Sequence, residues 1–346
     1  MKKHILFSLL IFITLNSWAF DREKKITRSF KVSSNTKVEI KNSFGKVHIN
    51  TWDKNQVDVE IAILTKSKNE AKAQEMLDKI KIKIEENGGL LEFNTEIGKI
   101  NSKNNESFEV NYTINMPSKN PLEVKNSFGD FYLDNYDGPV ELNLSYGALK
   151  IGNLTGPAEI KVSFNKGENI IKSMSRGELE VSYTDLTLNS AENINLENEF
   201  SDITIDNVNV LEADVSYGSL KIGKANSLSG DMDFSSLDLG SINKILELDI
   251  SYGKNLNINN INPGIEKIEI ESEFSSIKLV LPSQLNANLS AEVEFGDINY
   301  DKSMITMNHI EKDFNSKEYH GKIGSGSSKI TIELEASYGS ISIVFQ

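Results

Sequence analysis

The side chains of this sequence that could carry chemistry are its carboxylates, histidines and arginines, so their types and spacing come first. Asp130, Asp185, Asp202 and Asp297 each stand two residues after an aromatic residue. Carboxylates held in register could bind a cation or work as an acid/base pair. Only Asp185 and Asp202 fall in adjacent copies of the repeat described below, and the glycine-rich nonapeptide of calcium-binding β-rolls is absent. The four are read as turn-forming residues.

Histidine gives no better site. His48 lies between Val47 and Ile49 and points outward from a strand, while His309 and His320 share a polar segment with Glu311 and Glu318. Zinc requires three or four converging ligands, and this spacing does not supply them. After the leader, arginine occurs only as Arg22, Arg28 and Arg176. A β-helical polysaccharide lyase would need calcium-binding carboxylates and a basic residue near the sugar. Arg176, in a turn beside Gly177, is the candidate base and reads more simply as a solvated turn residue. There is no nucleophile elbow and no phosphate-binding glycine loop. With no cysteine, thiol catalysis, thiolate zinc and disulfides are excluded. No catalytic, metal or cofactor-binding residue is assigned, no cofactor is expected, and the chain reads as non-enzymatic.

What these residues sit on is a repeat. Aromatic residues recur at Phe128, Tyr146, Phe164, Tyr183, Phe200, Tyr217, Phe234, Tyr252, Phe274 and Phe295, spaced 17 to 22 residues apart. Phe44 and Tyr338 carry the same local pattern outside the main array, making twelve copies. Three alternating apolar positions precede each aromatic and two follow it, as in Val140, Leu142, Leu144, Tyr146, Leu149, Ile151. Alternation with period two marks strands with one buried face. The inward set changes parity after the aromatic, so the chain turns a corner there. Gly129, Gly147, Gly218, Gly253, Gly296 and Gly339 occupy that corner, where glycine is expected to supply unusual backbone angles. The aromatic is in phase with the buried positions before it and is expected to form an internal ladder.

A unit of about 18 residues with five or six inward side chains leaves that face uncovered until like units stack on it. The fold expected is an all-β, single-chain parallel β-solenoid (β-helix) of ~18-residue repeats over residues 121–300, with one or two repeats per coil. A transmembrane barrel fails on its outward face, where Glu141, Asn143, Ser145, Glu159 and Lys161 leave no lipid-facing apolar belt.

Residues 20–120 differ and are expected to form a small N-terminal α+β cap containing one helix. Val38 and Ile40, Val47 and Ile49, and Val57 to Ile61 read as strands. Ser67 and Glu70 suggest a capping box for a helix with Ala73, Met76, Leu77 and Ile80 on its apolar stripe. Asn87-Gly88-Gly89 marks a hairpin, and Val110 to Met116 one more strand before Pro117. Residues 301–328, polar and Gly/Ser-rich at their end, are expected to be a mobile loop insertion before a terminal solenoid coil at 329–346.

Residues 1–19 have the plan of a secretory signal peptide: Lys2 and Lys3, an apolar run from Ile5 to Thr14, and Ser17-Trp18-Ala19 as cleavage site. An exported protein is expected, in the periplasm, at the cell surface or secreted, with no membrane-spanning segment after cleavage. The formal charge is −13, and losing Lys2 and Lys3 takes it to −15. Such a charge disfavours nucleic acid as a partner.

The corner tripeptides Ser145-Tyr146-Gly147, Ser216-Tyr217-Gly218 and Ser337-Tyr338-Gly339, with the preceding helix and strands and the late Gly-rich segment, resemble a bacterial family of adhesin-like exported β-helical proteins. The resemblance covers nearly all of the chain after the leader. It implies the solenoid fold and, by analogy, an adhesin-like scaffold binding a protein or glycan at the cell envelope. It brings no catalytic residues with it. A glycan-active β-helix enzyme and a periplasmic assembly or stress factor are the competing functions.

Overall fold

The computed structural model describes residues 20–101, 106–254 and 256–346, and the leader lies outside them. The chain is a mostly parallel stack of coils, one repeat per coil. Val140–Ser145 pairs in parallel with the same stretch of the next coil, Val140 opposite Ala158 and Leu144 opposite Val162, and this register runs through the array. The inward positions merge into one continuous core, with Leu142, Leu144, Leu149 and Ile151 at most 2% exposed. Each coil completes the apolar interior of its neighbour, which is why repeats that are individually too small to fold do so together.

At the corner the structure corrects two expectations. The aromatic residues are outside. Each of the twelve has a positive φ, between 50° and 61°, and this left-handed residue turns its side chain to the outer face although the parity of the strand points inward. The corner glycines, by contrast, have no positive φ. They are small because the next coil is close. A Cβ on Gly129 would overlap the carbonyl of Gly45, one on Gly147 the carbonyl of Gly129, and one on Gly339 that of Ser275. Other coils place Asn165, Thr184, Ser201 or Ser275 there, all buried, and the hydroxyls bond between coils, as Ser201 does to the Thr184 amide at 2.9 Å.

Sequence order and spatial order differ at both ends. After the Phe44 coil the chain leaves to build the cap and returns at Leu122, which pairs with Val38. The cap contains the antiparallel run of Phe20–Lys31, Gln56–Ser67 and Ser107–Pro117, and the hairpin Ile80–Asn87 with Leu90–Ile97. Its strands cover the Phe44 coil by pairing in parallel with Lys37–Ser43 and Val47–Trp52. The helix, Glu70–Asp78, buries Ala73, Met76 and Leu77, but its N-cap is Asn69, which accepts from the Lys72 amide. Ser67 accepts instead from the Asn69 amide at 3.2 Å, so the N-cap lies two residues later than expected. With Lys72 at the third helical position, it is a single cap and not the expected capping box.

At the far end the final segment is not the end of the rod. Thr331–Ser337 lies between Lys267–Glu273 and Ala287–Glu294, in register with both. Residues expected to be a mobile loop form a hairpin, Ile305–Lys312 with Ser316–Ile323, and the second strand pairs antiparallel with Ala287–Glu294. Alternation weakens there because the hairpin's outer strand is exposed on most of its length. Ile305, Tyr319 and Ile323 supply its buried contacts.

Candidate binding surface

The twelve corner rings form one ladder along the outside of the rod. Successive ring centroids from Phe44 to Phe295 lie 4.7 to 5.3 Å apart with planes within 11° of parallel. Each ring is 38% to 53% exposed. Phe108 tilts against Phe44 at the cap end. Stacking covers the ring faces and leaves the edges and tyrosine hydroxyls in solvent, so the ladder is poorly shaped for laying sugar rings flat on aromatic faces.

Strain and stacking compete at each corner. A left-handed conformation costs a residue with a Cβ about 1–2 kcal/mol, and an aromatic pair returns about 0.5–1.5 kcal/mol. Stacking alone roughly offsets the strain, and the apolar area that each half-buried ring covers adds to it. Glycine or asparagine would make the same corner with less strain, yet all twelve corners use Phe or Tyr.

The sheet face leading into the ladder carries the second feature. The outward residue three before each aromatic forms a column, and its sign changes along the rod. Near the cap it contains Lys41, Lys125 and Lys161, all paired: Lys125 with Glu123 at 2.7 Å, Lys161 with Glu180 at 2.5 Å. Beyond Lys161 the column is Glu180, Glu197, Asp214 and Asp231, then Asp249, Glu271, Glu335 and Glu292, one carboxylate per coil in line. A shallow trough of about 590 Å³ lies over it at Lys161, Glu180, Glu197 and Asp214. Burial, followed by the charges of Asp231 and Glu269, pushes the Asp249 carboxyl up. Burial also pushes up Glu335, with Glu271 and Glu292 adding to the effect. Sequence reasoning looks for carboxylates after the corner and misses those before it. Counting back from each aromatic is the available signal.

That crowding has a measurable consequence. A carboxyl whose folded pKa is raised stabilises the fold fully below its unfolded value, and the contribution is lost as pH rises through the folded value. Asp249→Asn is therefore expected to raise stability at neutral pH and low salt, with the gain vanishing in acid below the ordinary aspartate range. Urea titrations at the two pH values measure it, and an equal gain at both would contradict charge crowding.

The residues weighed for chemistry do structural work. Asp130 accepts from the Ala148 amide at 3.1 Å and Asp185 from the Asp202 amide at 3.3 Å, each bond crossing to the next coil. Asp202 accepts from the Ser219 hydroxyl at 2.5 Å, and Asp297 pairs with Lys317 at 2.9 Å. Arg176 is in the strand Asn169–Ser182, not in a turn, and is exposed there. His48 faces outward beside Tyr132. His320 meets Glu318 at 2.6 Å on the hairpin, and His309 stacks near it. Among the described residues no three His, Asp or Glu side chains are grouped to hold a metal ion, and no helix is long and apolar enough to cross a membrane.

These features define a parallel β-solenoid with covered ends and an exposed corner ladder. The chain belongs to the Toastrack DUF4097 family, whose model matches residues 34–343. Similar solved structures include a candidate cell adhesion protein from Clostridium sporogenes, 14% identical over 94% of this chain and 100% of that one, with a TM-score of 0.21. A candidate lipid binding protein from Parabacteroides distasonis is 15% identical over 72% and 96%, TM-score 0.32. A candidate adhesin from Bacteroides fragilis is 11% identical over 93% and 97%, TM-score 0.26. No match was found among curated proteins.

Proposed function

We propose that this protein is an exported, non-enzymatic scaffold of the cell envelope that binds a partner along one flank of its rod, in the manner of an adhesin. The observation that carries the reading is the ladder of twelve half-exposed rings, each held outside by a strained corner. Strained conformations gather where a protein meets something, and exposed aromatic edges beside polar groups are typical of contact surfaces. The rod supplies rigidity and length, and its hollows are shallow, which suits surface binding better than turnover.

The test combines location with contact. Cell fractionation and protease shaving should find the mature chain outside the cytoplasm. The purified protein should bind isolated envelope fragments saturably. The triple variant Tyr146→Asn, Tyr183→Asn, Tyr217→Asn keeps residues that tolerate the left-handed corner, so the coils should stay folded by circular dichroism. Its binding should fall by about tenfold or more, as loss of clustered aromatic contacts does. Cytoplasmic location, or undiminished binding by the variant, would defeat the proposal.

A further inference from the structure

We infer that the partner of the ridge is a basic protein segment that carries apolar side chains as well, seated on the ridge and on the acidic face beside it between the Tyr183 and Phe295 coils. The inference rests on the scaffold reading and adds to it the chemistry of the partner. The ridge makes the surface adhesive, and the adjoining column decides the sign of what adheres.

The sign is unbalanced over this stretch alone. Near the cap, Lys37 and Lys125 neutralise Glu123, and Lys41 neutralises Glu39 and Glu92. Past Lys161, which pairs with Glu180, the column runs through seven further carboxylates, and flanking columns add Glu212, Glu247, Glu269 and Glu333 with Glu199, Asp233, Glu273 and Glu294. Lys267, paired with Glu247 and Glu269, stands at the margin. Like charges facing each other across neighbouring strands are destabilising, so an isolated rod gains nothing from this arrangement. A polycation laid along it would relieve the repulsion and gain the attraction, and steering by such a field speeds encounter.

The geometry also selects among cations. The carboxylates stand side by side, one per coil, and do not converge on a point, so they make an extended field better matched to a chain of positive groups than to a single metal ion. Adjacent apolar ring edges give the non-basic side chains of that segment a place to bury. Anionic polymers and anionic lipid headgroups are repelled.

The probes are three short peptides repeating Lys-Leu-Ser, Lys-Ser-Ser or Glu-Leu-Ser, titrated into the purified full-length protein and read by fluorescence anisotropy at physiological ionic strength. The Lys-Leu-Ser peptide should bind best, Lys-Ser-Ser more weakly, and Glu-Leu-Ser not at all. The variant Glu197→Gln, Asp214→Asn, Asp231→Asn should bind Lys-Leu-Ser about tenfold more weakly, with a shallower salt dependence. Removing repulsion should leave it folded, which thermal melting checks. No binding of the lysine peptides by the wild type, equal binding by the variant, or stoichiometric calcium binding that displaces the peptide would overturn the inference. The scaffold reading is judged separately, because its tyrosine variant leaves every one of these carboxylates in place. Loss of envelope binding there with no peptide binding here would retire the basic segment alone.

Discussion

Gly129→Ala is expected to destabilise the protein by about 3–5 kcal/mol, at or beyond the upper end of ordinary overpacking penalties. The added methyl would overlap the carbonyl oxygen and carbon of Gly45 in the adjacent coil. Neither atom can swing aside as a side chain would. Val47 and Phe131 lie opposite each other just past the corner, and Asn42 and Asn126 just before it, so the ladder fixes the spacing from both sides. The Asn126 amide also donates to the carbonyls of Gly45 and Gly129, at 3.3 and 2.9 Å, and the Asn42 amide to the Asn126 side chain at 3.1 Å. Moving the coil apart would open these buried bonds as well. Gly88→Ala is the control. Gly88 has a φ of 55°, and a methyl added there would meet nothing within 4 Å, so only backbone strain of about 1 kcal/mol is expected. Chemical denaturation of both variants compares a close approach with a strained angle. Similar losses at the two sites would show that corner glycines serve backbone conformation after all.

The solenoid is legible in the sequence because burial on one face writes a period-two pattern, and stacking writes the same pattern again in each coil. Val140, Leu142, Leu144, Leu149 and Ile151 read as inward and are buried. Tyr146 reads as inward and is not, for a physical reason. Alternation predicts the side of a residue only while φ stays negative, and nothing local announces that a tyrosine adopts 58°. The glycine beside it draws the inference of unusual angles to the wrong residue. The order of the last coils does leave a trace. Phe and Tyr alternate strictly through the stack from Phe128 to Phe295 once Tyr338 is inserted between Phe274 and Phe295. In sequence, Phe274 and Phe295 follow each other and break the alternation. The acidic column is visible in residue types but has no meaning until the coils are in register.

The intercalated segment gives Leu334→Asp the other large expected effect. If the final residues formed the last coil of the rod, damage there would fray one end and leave the rest, since solenoid coils depend chiefly on their neighbours. Here Leu334 is 1% exposed and sits in register with Ile270 on one side and Ala291 on the other. An aspartate at that point would put a carboxylate in the core with no partner, where burial of an uncompensated charge is among the most destabilising changes known. It would also disturb the Ala287–Glu294 strand, on which the outer hairpin is built. A loss of about 4 kcal/mol or more is expected, with Leu334→Ala at about 2–5 kcal/mol from the cavity alone. Ile310→Asp supplies the contrast: Ile310 is 45% exposed on the outer hairpin strand, and its replacement should change stability by less than about 0.5 kcal/mol. Amide exchange provides the independent measurement. The Leu334 amide should be protected like those of mid-rod coils such as Leu196, because opening it requires parting coils on both sides. Fast exchange at Leu334, or a mild loss in Leu334→Asp, would mean that the segment lies at a frayed end and not within the rod.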